Sequence, residues 1–215
     1  MSATPTTGLE TYLTKASIAP TVVVPTAITK AKPAAVTVAS ITGLTAGDVV
    51  KMMDTGFKEL DGKYFIIGAP AASAFTLVGS DTTASTGVLL TSPKANVYKK
   101  TDMIKMCLAT VDPAAEAPGT TAVGTFCDPS ASIPAITQAG TLTMTGYVDN
   151  QAYYEELNKA VDDGAERILN VILPQGLGNI IAPAIISTIG WTLPLDGGIG
   201  FTASGAMTSK PKHRF

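Results

Sequence analysis

The chain has 215 residues, enough for one large domain or two small ones, with 46% apolar and only 15% charged residues. An average soluble domain carries roughly 25% charge, so these surfaces are polar but weakly charged, with Thr, Ser, Ala and Gly filling the gap. Residues 1–105 carry ten Lys/Arg against seven Asp/Glu, and residues 106–215 carry five against ten. An acidic C-terminal half argues against tight binding of duplex nucleic acid, which needs a basic face.

The first 28 residues read as an irregular arm, with Pro5, Pro20 and Pro25, ending in the β-branched run 21–24. The first fifteen residues lack a basic segment followed by an apolar core, so no secretory signal and a cytosolic compartment are expected.

Residues 29–96 have another texture. Strands are predicted at 36–38, 49–52, 64–67 and 75–78, with a turn at 43–48 and an Asp61-Gly62 hairpin signal. Short strands at this spacing suggest a small antiparallel barrel.

Residues 97–109 read as one long strand, and 112–120 and 128–134 as loops. Alternation of Leu142, Met144, Gly146 and Val148 with Thr141, Thr143, Thr145 and Tyr147 predicts a half-buried strand. A helix is predicted from about Asn150 to Asp163, capped by Asp149 or Asn150 and stopped at Gly164. Its apolar face holds Tyr153, Leu157, Ala160 and Val161, with Glu155, Glu156, Lys159, Asp162 and Asp163 elsewhere. Acids in its last turn oppose the helix dipole; solvent or a Lys/Arg of a neighbouring subunit offsets this. Strands at 166–173, 184–191 and 200–208 follow. The apolar run 180–191 is too short to span a bilayer, which takes about 20 residues.

Reactive constellations are sparse. The single histidine, His213, stands three residues from the end and reads as a solvated tail residue. Cys107 and Cys127 form no CxxC pair and are expected to be buried reduced thiols. Gly176-Leu177-Gly178 and Gly197-Gly198-Ile199-Gly200 complete no phosphate-binding fingerprint and read as turns. Ser209-Lys210-Pro211-Lys212 matches a bare Ser-x-x-Lys string but lacks a helix N-terminus around it. The pairs Glu155/Glu156 and Asp162/Asp163 read as a solvated face, and Lys210, Lys212 and Arg214 as a solvated tail or an inter-subunit ion pair. No catalytic, cofactor-binding or metal-binding residue, and no enzyme activity, is expected.

Further motifs carry a resemblance. The strand ending Thr145-Gly146-Tyr147-Val148-Asp149, the helix, Asp163-Gly164, the strand at 167–173, Leu173-Pro174-Gln175-Gly176, Ile189-Gly190-Trp191, Pro194-Leu195-Asp196-Gly197 and the Thr/Ser-rich strand at 201–209 follow one pattern. With Gly124-Thr125-Phe126-Cys127-Asp128-Pro129, this part resembles the tail tube (major tail) proteins of long, non-contractile-tailed bacteriophages. Residues 29–92 resemble a small β-module common in phage tail proteins. They carry this through 28–33, 36–38, 43–50, 59–63 and 75–77, with Met52-Met53-Asp54 where a shorter polar turn is the rule.

The resemblance implies a mainly β fold: two packed antiparallel sheets flanked by one α-helix, plus a small inserted β-barrel-like module. It implies a discontinuous tube domain, 1–28 and 97–215, interrupted by the module at 29–96. Six copies would form a ring, and stacked rings a tube, with four strands per subunit closing a barrel of about 24 strands. The implied partners are copies of the chain itself, a tape-measure protein in the lumen, tail terminator and tip proteins, and DNA that passes without specific binding. No membrane partner is implied. The implied location is the virion tail, assembled in the host cytoplasm. A second reading, a carbohydrate- or surface-binding β-module of a tail fibre or adhesin, rests on the module, Trp191 and the six tyrosines.

Overall fold

A computed structural model describes residues 9–114, 120–122, 132–134, 140–148, 150–174, 177–193 and 198–214. The fold is mainly β, with two antiparallel sheets, one closed six-stranded barrel and one helix. Among the described residues, sixteen strands and the helix run in the order β1 Glu10–Thr14, β2 Thr21–Val23, β3 Pro25–Ile28, β4 Ala34–Val38, β5 Val49–Met53, β6 Tyr64–Ile67, β7 Ala74–Val78 and β8 Lys94–Tyr98. There follow β9 Met103–Pro113, β10 Thr120–Ala122, β11 Ser132–Pro134, β12 Thr141–Val148, α1 Gln151–Asp162, β13 Glu166–Ile172, β14 Asn179–Thr192, β15 Ile199–Met207 and β16 Lys212–Arg214. The chain divides into two compact units: residues 1–106, 168–181 and 212–215, and residues 107–167 and 182–211.

The first unit holds the sheet β2-β8-β5-β6-β7-β4-β3. Its two edge strands, β2 and β3, are halves of one stretch of chain, so the sheet curls around a single core. Val36, Val50, Met52, Leu60, Phe65, Ile67, Phe75, Leu77 and Val97 fill that core. Strict alternation in β4 and β7 puts every second residue inside.

The Asp61-Gly62 pair does not close a two-residue hairpin. The connection from β5 to β6 spans ten residues, 54–63. The Asp61 carboxylate accepts from Thr55 N–H (2.7 Å), the Thr55 hydroxyl (2.6 Å) and Gly56 N–H (3.1 Å), and so organises a wide loop. Gly56 has φ +81°, and a Cβ there would stand 2.1 Å from the Val88 carbonyl oxygen, so this position needs glycine.

Residues 97–109 are not one strand. A 3₁₀ turn at Lys100–Asp102 separates β8 from β9. It is pinned by the fully buried Asp48, which accepts from Lys100 N–H (2.9 Å) as well as from Thr45 N–H and the Thr45 hydroxyl. The expected irregular arm contains a strand: β1 pairs with β13 on one side and with residues 103–106 of β9 on the other. A second core lies in this unit. Val49, Tyr64 and Ile66, on the outer side of the curled sheet, pack with Met103, Ile168 and Ile181, flanked by Tyr12, Val78 and Tyr98.

The second unit is a four-stranded antiparallel sheet: residues 107–113 of β9, β12, β15 and residues 184–192 of β14. Helix α1 packs on it. The Asn150 side chain caps the helix by accepting from Tyr153 N–H at 2.9 Å, and Gly164 (φ +57°) ends it. Tyr153, Leu157 and Ala160 are buried as expected, but so is Glu156, at the margin of the buried face beside Lys159 (3.5 Å). The acids of the last turn find a cation within the chain itself: buried Arg167 pairs with Asp163 at 2.5 Å.

Candidate assembly surface

The four-stranded sheet of the second unit has two unlike faces. One is apolar: Leu142, Met144, Phe201, Ala203, Ala184, Ile186 and Met207 are buried. The helix covers this side, with Tyr153 edge-on to Phe201 (5.7 Å between centroids) and Tyr154 against Trp191 (4.6 Å), which in turn meets Phe201 (6.1 Å). Trp191 is therefore a half-buried packing residue between the helix and the sheet.

The other face is open. It presents Thr141, Thr143, Thr145 and Tyr147 from β12, and Thr202, Ser204 and Ala206 from β15. Ile185, Thr188, Gly190 and Thr192 of β14 and Cys107, Thr110 and Asp112 of β9 extend it through their pairings. Among these residues Asp112 alone is charged. Hydroxyl pairs cross the strands: Thr110 with Thr145, and Thr188 with Ser204, both at 2.6 Å. Cys107 lies exposed on this face and free; the sequence led us to expect burial. The period-two alternation of β9 turns it outward, opposite Tyr147. Cys127 lies outside the described residues.

The edges of this sheet matter most. β1 pairs with β9 only at 103–106, so among the described residues 108–113 have a strand partner on the β12 side alone. On the far side, β13 and β14 form a hairpin closed by Leu173 N–H to the Gly178 carbonyl. With the register of that closure kept along the hairpin, Glu166, the first residue of β13, comes opposite Ile185, and 187–192 then extend beyond it. Both outer segments, 108–113 and 187–192, lack Lys and Arg. Each carries one β-bulge, at Ala109 and at Ser187. Gly146 admits the first: a Cβ there would stand 2.4 Å from the Cys107 carbonyl oxygen.

The other sequence candidates do not converge. His213 lies in β16. Gly178 (φ +93°) is a turn residue and Gly200 a ladder residue opposite Thr192 and Tyr147. Gly176 and Gly197 lie outside the described residues. Glu155 accepts from the Gln151 amide (2.8 Å), away from Glu156 and Asp163. Asp163 titrates below its ordinary value: burial raises it, but Ala165 N–H and the Arg167 guanidinium outweigh that. Among the described residues there is no group of three or more His, Cys, Asp or Glu placed to hold a metal ion, and no helix long and apolar enough to cross a membrane. Arg214 is not a solvated tail residue. Its guanidinium stacks 4.1 Å from the Phe65 ring centroid and donates to the carbonyls of Tyr64 (2.9 Å) and Gly79 (3.0 Å). Neither this anchor nor the open edges are legible as motifs, because both depend on residues far apart in sequence.

No protein-family model matches the sequence, and no curated protein matches it. Among solved structures, the chain is similar to one from the tail of an empty gene transfer agent particle, obtained with helical refinement in C6 symmetry. Identity is 12%, covering 51% of this chain and 84% of that chain, with a TM-score of 0.38. It is also similar to one from the virion of a native gene transfer agent particle, at 12% identity, covering 54% of this chain and 92% of that chain, with a TM-score of 0.40.

Proposed function

We propose that this chain is a structural virion protein, a subunit of hexameric rings that stack into a phage-type tail tube. The observation that carries the reading is the pair of open edges on the four-stranded sheet of the second unit. Exposed strand edges normally carry lysine or proline, or are covered, because they pair with other chains. Of these devices, 108–113 carries the bulge at Ala109, Asp112 and Pro113 at its end, and 187–192 carries only the bulge at Ser187; neither segment has a basic residue.

The strand count supports a ring. Four antiparallel strands alternate in direction, so β9 and β14 run opposite ways. A rotation about an axis along the strands therefore brings β9 of the next copy antiparallel to β14 of the first. Such a head-to-tail contact closes when the rotation divides a full turn. The resemblance to tail tube proteins supplies the expected number, six.

With the helix on the apolar side, the Thr/Ser face turns to the lumen. A neutral hydroxyl face, with one Asp112 per subunit, offers phosphate no cation to bind, so DNA slides past it. The tape-measure protein, the terminator and the tip proteins are the further partners of this reading, and the virion tail its location.

We also propose that residues 29–96 are an insertion into a discontinuous domain of 1–28 and 97–215, and that they are integral to it. Removing them would expose Tyr12, Met103, Ile168 and Ile181, which pack against Val49, Tyr64 and Ile66. Joining residue 28 to residue 97 is expected to give insoluble protein; soluble rings from that deletion would show the module to be a detachable decoration.

Sedimentation velocity over a range of concentrations tests the ring. The expected result is a species of six chains and larger stacks of it. A single monomer species at every concentration would sink the reading. Glycan binding by a monomer or trimer, lost in Trp191→Ala, would favour the fibre or adhesin reading instead. The packing of Trp191 between Tyr154 and Phe201 argues for a structural role at that position.

A further inference from the structure

Charge is divided unevenly between the two units. The first carries twelve Lys/Arg against seven Asp/Glu, and the second three against ten. Two copies of the chain therefore attract most strongly when the first unit of one meets the second unit of the other, while like units repel. Each unit also presents an exposed apolar feature, and the two features fit one another. In the first unit it is a knob. Val88 (76% exposed) and Leu90 (52%) point outward from the loop that leads into β8, while Leu89 between them packs against the core of the curled sheet. The loop is pinned in place: Leu90 N–H donates to the Thr55 carbonyl (3.2 Å), Gly87 N–H to the Ser85 hydroxyl (3.1 Å), and that hydroxyl to the Glu59 carboxylate (2.7 Å). Gly87 lies so close to the 56–57 backbone that a Cβ there would stand 2.5 Å from the Gly56 carbonyl oxygen. Apolar side chains displayed on a fixed loop lose little freedom when they bind.

In the second unit the feature is a groove of about 380 Å³, lined by Val148, Asn150, Gln151, Tyr154 and Ile199. Its apolar walls are open to solvent, with Tyr154 42% and Ile199 39% exposed. They are also fixed: Tyr154 leans on Trp191, and Val148 pairs with Ile199 in the β12–β15 ladder. Val148 is the last residue of β12 and Ile199 the first of β15, so the groove opens at one end of the four-stranded sheet. In a ring whose axis runs along the strands, that end faces the next ring.

We infer that the groove takes a second copy of this chain, with Val88 and Leu90 of one copy seated between the start of α1 and the start of β15 of another. Charge decides which unit meets which, and the apolar knob and groove supply the fit. The contact is distinct from the edge pairing of 108–113 with 187–192, which uses backbone groups of segments without a basic residue. Its place, between one ring and the next, rests on the ring reading. Six such contacts act together there, so each one is weak on its own and the stack is firm. On this account the 29–96 module links rings and is not a passive outgrowth.

Val88→Asp combined with Leu90→Asp in the full chain tests it, since both side chains are exposed. Rings are expected to form as in the native protein, and stacks only at a concentration at least about tenfold higher, read by sedimentation velocity and electron microscopy. Stacks at the native concentration would overturn the knob and leave the ring reading standing. A second arm reads the contact directly. In a Cys107→Ser background, one chain carrying Leu90→Cys is mixed with another carrying Ile199→Cys under mild oxidation, and the disulfides are mapped by mass spectrometry. A bond joining position 90 of one chain to position 199 of the other is expected, well above the yield from the exposed control Thr83→Cys. Its absence, or an equal yield from the control, would overturn the inference. The bond formed by a chain that never makes rings would keep this contact and sink the ring reading.

Discussion

The curled sheet of the first unit and the four-stranded sheet of the second solve the same problem in opposite ways. In the curled sheet, one stretch of chain supplies both edges, β2 and β3, and the core is enclosed on all sides. Its turns are closed from within, by Asp48 and Asp61 accepting from nearby backbone. The four-stranded sheet buries one face under a helix; among the described residues its other face is exposed and its two outer segments have a strand partner on one side only. The first is complete as it stands. On the proposed reading the second is completed by another copy of the chain, as one segment of a wall.

The comparison breaks most visibly if the curled sheet tolerates a core loss. Phe75→Ala empties a fully enclosed site and is expected to cost about 3–5 kcal/mol, read by urea denaturation of the monomeric or dissociated protein. A loss under about 1 kcal/mol would mean that this core is not the closed unit described. Asp61→Ala removes the acceptor of three hydrogen bonds and is expected to cost about 1–3 kcal/mol in the same assay, with the Thr55–Gly56 turn loosened.

The opposite outcome is expected at the open edges. Thr110→Lys combined with Thr188→Lys places a cation on each edge segment. The stability of the isolated chain should fall by only about 0.5–2 kcal/mol, from the lost Thr110–Thr145 and Thr188–Ser204 hydroxyl pairs, while higher assemblies disappear from light scattering. Rings that persist in the double variant would show that these edges are not the contact.

The smallest effect is electrostatic and belongs to the first unit. Lys105, Tyr12 and Lys100 hold the Glu10 carboxyl at about 2, below its ordinary 4.5. A lowered folded-state pKa contributes stability that is present above 4.5 and lost as pH falls toward 2. Glu10→Gln should therefore flatten the decline in melting temperature between those pH values, and leave the chain slightly less stable at neutral pH. An unchanged acid profile would mean that the Glu10 contacts do not persist in solution.

Periodicity made part of this legible. The alternation of β12, the N-cap and C-terminal glycine of α1 and five strands of the curled sheet, β2, β4, β5, β6 and β7, are local signals and appear where the residues predicted them; β3 and β8 do not. What escaped was non-local. β1 carries its own alternation, but what fixes it as a strand is its pairing with β13 and β9, from about ninety residues away or more. The break at Lys100–Asp102 depends on the buried Asp48 carboxylate. Arg214 looked like tail because nothing near it in sequence marks Phe65 as its partner. The candidate surface was hidden for a related reason: an unpaired edge is a property of which strands meet, and only the pairing pattern shows it.

Electron microscopy of the purified full chain tests the central claim most directly. The account predicts rings with a central channel and six repeats, and tubes built from them at higher concentration. A uniform field of single compact particles at every concentration would contradict it.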